Sequence, residues 1–239
     1  MVLSVLTPTR NRASRFPLAV ECMRRQTWTD PVEWVIVEDG EQSVQTLLTD
    51  LPENVVVRYV RIEGDEPIGK KRNRCVELAT GPIYIFWDDD DFYHPEYLAE
   101  TYKSLAEQSL YGVLGQSILL VHSTSTGLMY AKGKKGNFSA CGVLAFTRAA
   151  MKQYDLHFRD EDTHGEERFF LKDFRVPLLK RDPFKSIVAI QHGENTWNVE
   201  FKDEEILKDY TMPDWALSKI DALRGNEIQE SADEKTAID

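Results

Sequence analysis

The chain of 239 residues is short of the features that would send it out of the cell, into a bilayer or onto nucleic acid. It has three cysteines, Cys22, Cys75 and Cys141, an odd number with no metal-type spacing. A disulfide scaffold is excluded, and buried free thiols in a reducing compartment are expected. No apolar run is long enough to span a bilayer. The opening "MVLSVLTPTRNR" has too short an apolar stretch for a secretory signal, and no basic region precedes it. A soluble, cytoplasmic protein without a transmembrane segment is expected. Basic charge is in deficit, with 29 Lys and Arg against 40 Asp and Glu and a formal net charge of -11. That argues against nucleic acid as a partner, although it leaves room for a local basic pocket. No G-x-G-x-x-G follows the first apolar run, so the dinucleotide-binding fingerprint is missing. Internal repeats are missing too.

What is present fits one sizeable globular domain, with 42% hydrophobic and 29% charged residues. Short apolar runs alternate with amphipathic stretches through the first half. Strands are expected at 2–6, 34–37, 55–62 and 83–87, and helices at 15–25, 44–48, 70–79 and 96–107. This alternation predicts an α/β fold whose mostly parallel central sheet has helices on both faces. The pattern then changes: 110–122, 127–132 and 140–147 read as longer strands, added as a small antiparallel part. A further strand is expected at 186–191, and acidic helical segments should close the chain. The domain is expected to run over 1–225, with 226–239 a polar, disordered tail.

In a parallel sheet the ligand crevice lies at the carboxyl ends of the strands, and the polar punctuation falls there. The first strand runs into "TPTRNR" (Thr7 to Arg12), the second into "EDG" (Glu38 to Gly40), and the fourth into Asp88, Asp89, Asp90 and Asp91. Two carboxylates ~4 Å apart repel by ~4 kcal/mol at an effective dielectric near 20, and a divalent cation removes that penalty. Oxygen ligands suit Mg²⁺, Mn²⁺ or Ca²⁺. The run also reads as a solvated acidic turn before the next helix, but its place directly after a buried strand favours a metal. "GKKRNR" (Gly69 to Arg74) opens a helix with cations where the helix dipole prefers acids. Either a bound phosphate resolves that conflict, or the stretch is a basic surface turn balanced by the "EGDE" before it. Arg10 and Arg12 on the same rim tilt the reading toward phosphate. A cation beside an anion site reads as a metal-bridged diphosphate.

In their order and spacing, "LSVLTPTRNR", "WVIVEDG", "GKKRN" and "YIFWDDDDFYHP" resemble the inverting, family 2-type glycosyltransferases with a GT-A, Rossmann-like fold. The likeness covers most of residues 1–100 and continues more faintly in "CGVLAFTRAAM" and "HGEERFFLK". It implies a metal-dependent enzyme, with Mn²⁺ or Mg²⁺, that moves a sugar from a nucleotide-sugar donor, UDP-linked by family likeness, to a glycan, lipid-linked or protein acceptor. By the same resemblance Thr7, Pro8, Thr9, Arg10 and Arg12 line the nucleotide pocket and Asp39 binds the base. Gly69, Lys71 and Arg72 lie near the base or phosphates, and Asp88 and Asp90 match the metal motif, with Asp90 the more direct ligand. Asp89 belongs to the same donor-binding run, and Asp91 supports the site or touches the sugar. Glu166 or Glu167 supplies the catalytic base, with Glu167 preferred. Glu167 departs from the family's usual Asp, and Glu38 departs in the same way. His192 reads either as a third metal ligand or as a turn histidine, and Trp197 as a sugar-stacking ring. Residues 123–138 are expected to form a mobile acceptor loop, and His94, His122, His157 and His164 read as surface or loop residues. Rival readings are a sugar nucleotidyltransferase, whose glycine-rich N-terminal loop is absent, and a non-catalytic Ca²⁺- or sugar-binding module.

Overall fold

A computed structural model describes the chain except for residues 110, 134–135, 193–194, 196–199 and 223–239. The expected tail and Trp197 lie outside the described residues. Among the described residues strands and α-helices follow one another, with short 3-10 turns between. In chain order they are β1 Leu3–Arg10, α1 Phe16–Arg24, β2 Val32–Asp39, β3 Val55–Arg61, α2 Ile68–Leu78, β4 Ile83–Phe86, β5 Phe92–Tyr93 and α3 Tyr97–Gln108. Then come β6 Val113–Gly115, β7 Ile118–Ser123, β8 Met129–Gly133, β9 Ala145–Thr147, α4 Arg148–Tyr154, α5 Glu167–Phe170, β10 Leu178–Lys180 and β11 Ile187–Gln191. Residues 214–222 are again helical. No helix among the described residues is long and apolar enough to cross a membrane.

The main sheet has the order β10-β6-β9-β4-β1-β2-β3, and only β9 runs antiparallel to its neighbours. Its inner strands β1, β2 and β4 are almost wholly buried because both faces are covered, whereas the edge strand β3 is partly exposed. Side chains alternate: Trp34, Ile36, Ile83 and Ile85 join one core cluster, while Val35, Val37, Tyr84 and Phe86 join the other. The first is packed by α1 through Phe16, Leu18 and Met23, and the second contains Cys75 of α2. The three cysteines are free and buried, as composition implied.

The second half departs from expectation. The apolar stretch 110–122 is two strands, not one. β6 belongs to the main sheet, the chain breaks at Gln116 and Ser117, and β7 enters a separate sheet of order β5-β11-β7-β8. The antiparallel part is present, as β9 in the main sheet and as the β5–β11 and β7–β8 pairs, but those pairs form a sheet of their own whose central pair β11–β7 is parallel. The stretch 140–147 opens with a buried 3-10 turn, Cys141–Val143, and only 145–147 is strand. Much of the expected acceptor loop is β8. Its outer side is strapped by a later segment: Tyr130 stacks on Phe201 at 3.9 Å, the Leu207 N–H donates to the Met129 carbonyl, and Lys132 pairs with Glu205 at 2.7 Å.

Phe86 ends β4 and is fully buried among the rings of Phe146, Phe158 and Phe170, with centroids at 5.8, 5.5 and 6.3 Å. Phe86→Ala is expected to cost roughly 3–5 kcal/mol of unfolding free energy, read from urea melts at unchanged slope. A loss under about 1 kcal/mol would contradict this packing.

Candidate active site

A cavity of ≈ 710 Å³ opens at the carboxyl ends of β1, β4 and β6, a usual size for a small-molecule site. Thr9 and Arg12 come to it from β1 and the turn after it, Asp88–Asp91 follow β4, and Gln116 follows β6. Lys71 and Arg72 enter from the first turn of α2, and Glu166 and Glu167 from the start of α5.

Each of the four aspartates is held by a different element. The Asp88 amide donates to the Tyr93 hydroxyl at 2.6 Å, and that hydroxyl donates in turn to the Gly142 carbonyl at 3.1 Å. Tyr93 itself is clamped by stacking on Trp87 at 3.8 Å. Gly142 lies so close to the Asp88 carboxylate that any Cβ there would collide with Oδ2. Asp89 accepts from Thr9 Oγ1 at 2.5 Å, Asp90 Oδ2 meets His192 Nε2 at 3.0 Å, and Asp91 accepts from the Ile190 amide at 2.9 Å. Burial and the neighbouring Asp90 charge push Asp89 up to about 7. Burial also raises Asp88, against the pull of Arg72, and raises Asp91 further with the help of Asp90 and Asp88. Asp90 goes the other way. Burial alone would raise it, but the His192 hydrogen bond and the Arg12 charge hold it below the usual carboxylate range. One run of four identical residues thus carries unlike affinities for a proton.

The cations at the start of α2 find carboxylates within the chain, which answers the conflict with the helix dipole from inside. Lys70 pairs with Glu66 at 2.7 Å, Lys71 with Asp39 at 2.7 Å and Arg74 with Glu77 at 3.0 Å. Arg72 is buried, gives Nε to Glu166 at 2.9 Å and Nη2 to Asp88 at 3.2 Å, and lies over the Phe86 ring at 5.0 Å. Gly69 is required because a Cβ there would run into the Arg159 carbonyl, and its N–H donates to the Asp162 carbonyl at 3.0 Å.

Not every expected residue reaches the cavity. Pro8, Thr9, Arg10, Arg12, Lys71, Arg72, Asp88 to Asp91, Glu166 and Glu167 line it. Thr7, Asp39 and Gly69 do not. Thr7 is buried in the sheet and accepts from Trp34 Nε1 at 2.9 Å. Asp39 is 0% exposed, with one oxygen on Lys71 and the other accepting from the Glu66 amide at 2.9 Å. Arg10 turns to Asp65. His192 touches the site through Asp90 rather than as a wall.

Glu166 is buried beside Arg72 and receives a hydrogen bond from the Cys141 thiol; burial would raise its pKa, but the Arg72 charge wins and lowers it. Glu167 is half-buried. One ligand atom from each of Cys141, Glu166 and Glu167 lies within 4.8 Å of the others, the tightest such grouping among the described residues. Arg168 is 73% exposed and pairs with Asp173 at 2.9 Å, so its charge faces away from its acidic neighbours. One histidine differs from expectation: His122 is buried in β7, whereas His164 is an exposed loop residue, as expected, at the edge of the cavity. Gln116 and Cys141 were missed, because each sits in a stretch that read as unbroken strand.

A family profile described as Glycosyl transferase family 2 matches residues 4–162. The uncharacterized glycosyltransferase YwdF of Bacillus subtilis is 30% identical over 79% of this chain and 74% of its own length. The uncharacterized glycosyltransferase YibD of Escherichia coli is 22% identical over 87% of this chain and 58% of its own. Among solved structures, S. aureus TarS 1-349 in complex with UDP-GlcNAc superposes with a TM-score of 0.64 at 17% identity, over 83% of this chain and 62% of that one. That likeness is one of fold, and it bears out the α/β, GT-A architecture.

Arg72→Met would leave the buried Glu166 and the half-buried Asp88 without their cation, at an expected cost of roughly 3–5 kcal/mol at neutral pH. Glu166, whose folded pKa is depressed, contributes stability above its unfolded pKa and loses it as pH falls through the folded value. The gap between wild type and Arg72→Met in urea melts should therefore be widest near neutrality and shrink toward acid. A gap independent of pH would reject the ion-pair account.

Proposed function

The chain belongs to glycosyl transferase family 2 and is a glycosyltransferase, and from that premise we propose a metal-aided, inverting transfer from a UDP-sugar to an acceptor hydroxyl. The observation that carries this reading is one cavity, at the carboxyl rim of a parallel sheet, lined by an acidic run, buried basic side chains and a separate pair of glutamates. The fold neighbour described in complex with UDP-GlcNAc supports a uridine donor. A glycan, a lipid-linked sugar and a protein all remain open as acceptor.

The donor set fits a divalent cation such as Mn²⁺ or Mg²⁺. Asp88, Asp90 and His192 would hold it: oxygen ligands with one imidazole suit Mn²⁺, and Asp90 favours its charged form while burial and the Asp90 charge raise Asp88. Their ligand atoms do not converge as tightly as those of Cys141, Glu166 and Glu167. That suits ions of this kind, which are usually bound by one or two carboxylates and completed by substrate phosphates. When bound, the cation supplies Lewis-acid stabilisation of charge on the leaving diphosphate.

The chain's own residues do the rest. Arg12, near Asp90 at 4.0 Å, and Arg72 contribute positive charge on the donor side of the cavity. Glu167 takes the proton from the acceptor hydroxyl as that oxygen attacks the anomeric carbon from the face opposite the nucleotide. Glu166 is less suited to this, because Arg72 and the Cys141 thiol hold its charge and lower its basicity. It serves instead to anchor Arg72. The outward turn of Arg168 spares Glu167 a neighbouring cation.

Two outcomes are expected. UDP should raise the Tm of the wild type more with Mn²⁺ than without it, and Asp90→Ala should lose that increment while melting normally alone; an undiminished increment would reject Asp90 as a metal ligand. Glu167→Gln should bind the donor as the wild type does but turn it over at least ~100-fold more slowly. If Glu166→Gln were the slow variant and Glu167→Gln the active one, the base would move by one residue.

A further inference from the structure

Two residues that line the same cavity each carry a buried polar atom with no partner among the described residues, Gln116 Oε1 and Arg72 Nη1. Native proteins seldom leave such atoms unpaired, and those that are unpaired at a cavity mark where a ligand group belongs. Gln116 is 4% exposed and lines the cavity at the carboxyl end of β6. Its position is fixed twice: the backbone N–H donates to Ser139 Oγ at 3.2 Å, and Nε2 donates to the Ile118 carbonyl. That carbonyl can only accept, so the amide cannot be reversed, and Oε1 is the end left without a bond. Arg72 has spent Nε on Glu166 and Nη2 on Asp88, leaving Nη1.

An acceptor and a donor left over in one cavity call for a group that can both give and take a hydrogen bond. A sugar hydroxyl does both. We propose that Gln116, with Arg72, forms a hydroxyl-reading subsite for the sugar being transferred, and that Gln116 is a determinant of which donor sugar is accepted. This rests on the donor reading above. The transferred sugar is favoured over the acceptor because Arg72 is tied directly to Asp88 of the acidic run. Gln116 hydrogen-bonds to Ser139 and Ile118, neither of which is among the residues proposed for proton transfer or metal binding. Its effect is therefore expected in donor choice rather than in the chemistry itself. A site built to bond a hydroxyl rejects the analogue that lacks it, because the buried partner is then stranded.

The test uses donor hydrolysis without acceptor, taking the UDP-sugar that the wild type hydrolyses fastest and its monodeoxy analogues. One analogue should be hydrolysed by the wild type roughly 10- to 100-fold less efficiently in kcat/KM. Gln116→Met should lose a similar factor on the parent donor and little more on that analogue, with UDP affinity unchanged and a modest fall in Tm from the lost bond to the Ile118 carbonyl. If Gln116→Met did not fold, the analogue series on the wild type would still decide, since equal rates for every monodeoxy donor overturn the subsite. Equal loss on all donors, or weakened UDP binding, would make Gln116 merely structural. Normal hydrolysis with impaired transfer to an added acceptor would assign the hydroxyl to the acceptor and overturn the proposal. If no UDP-sugar were hydrolysed by the wild type or raised its Tm, the donor reading itself would fall, and this inference with it. If the wild type acts and Gln116→Met matches it on every donor, the Gln116 assignment alone falls.

Discussion

A single guanidinium joins three parts of this site. Arg72 enters from the first turn of α2, reaches Asp88 beyond the end of β4, and holds Glu166 ahead of α5. These segments are far apart in sequence: 16 residues separate Arg72 from Asp88, and 94 separate it from Glu166. Burying such a cation is expensive unless its charge is met. Two carboxylates meet it on the edge, and the Phe86 ring supports its face. The same contacts keep Glu166 ionised in a buried place. Without Arg72, Glu166 would be left buried and Asp88 half-buried without a cation, and the cavity would lose one of its basic residues.

The acidic run shows how a sheet edge diversifies identical residues. Asp88 is tethered by its backbone through Tyr93, Asp89 belongs to β1, Asp90 to His192 and Asp91 to β11. Each tether sets a different balance between burial, neighbouring charge and hydrogen bonding. The result is one carboxyl that readily keeps its charge, Asp90, beside others that resist ionisation. Both a cation and a proton can be accommodated in such a set, and which group takes which is decided by the second residue of each pair.

Much of this was legible in the chain. The parallel half announced itself because strands buried on both faces read as continuous apolar runs, and the rim motifs followed from where those runs stop. The misreadings have physical causes. Periodicity records burial, not partnership, so β6 and β7 fused into one strand although they join different sheets. The 3-10 turn Cys141–Val143 is apolar because it is packed under Asp88, and it passed for strand. Asp39, the residue expected to bind the base, also holds Lys71 and the Glu66 amide, and nothing in "EDG" shows that a lysine 32 positions later reaches it. Gln116 and Cys141 became visible only as neighbours in space.

The small sheet carries a further implication for how the molecule comes into being. Its inner strand, β11, is the last of its members to be synthesised, yet β5 and β7 both pair with it and not with each other. Asp91 waits for an amide 99 positions downstream, and Asp90 for an imidazole 102 downstream. A nascent chain that has emerged only as far as β8 has every member of the acidic run but cannot fix the last two in place. Such long-range closure slows folding. It also leaves the last two members of the acidic run without their partners until β11 has joined the small sheet.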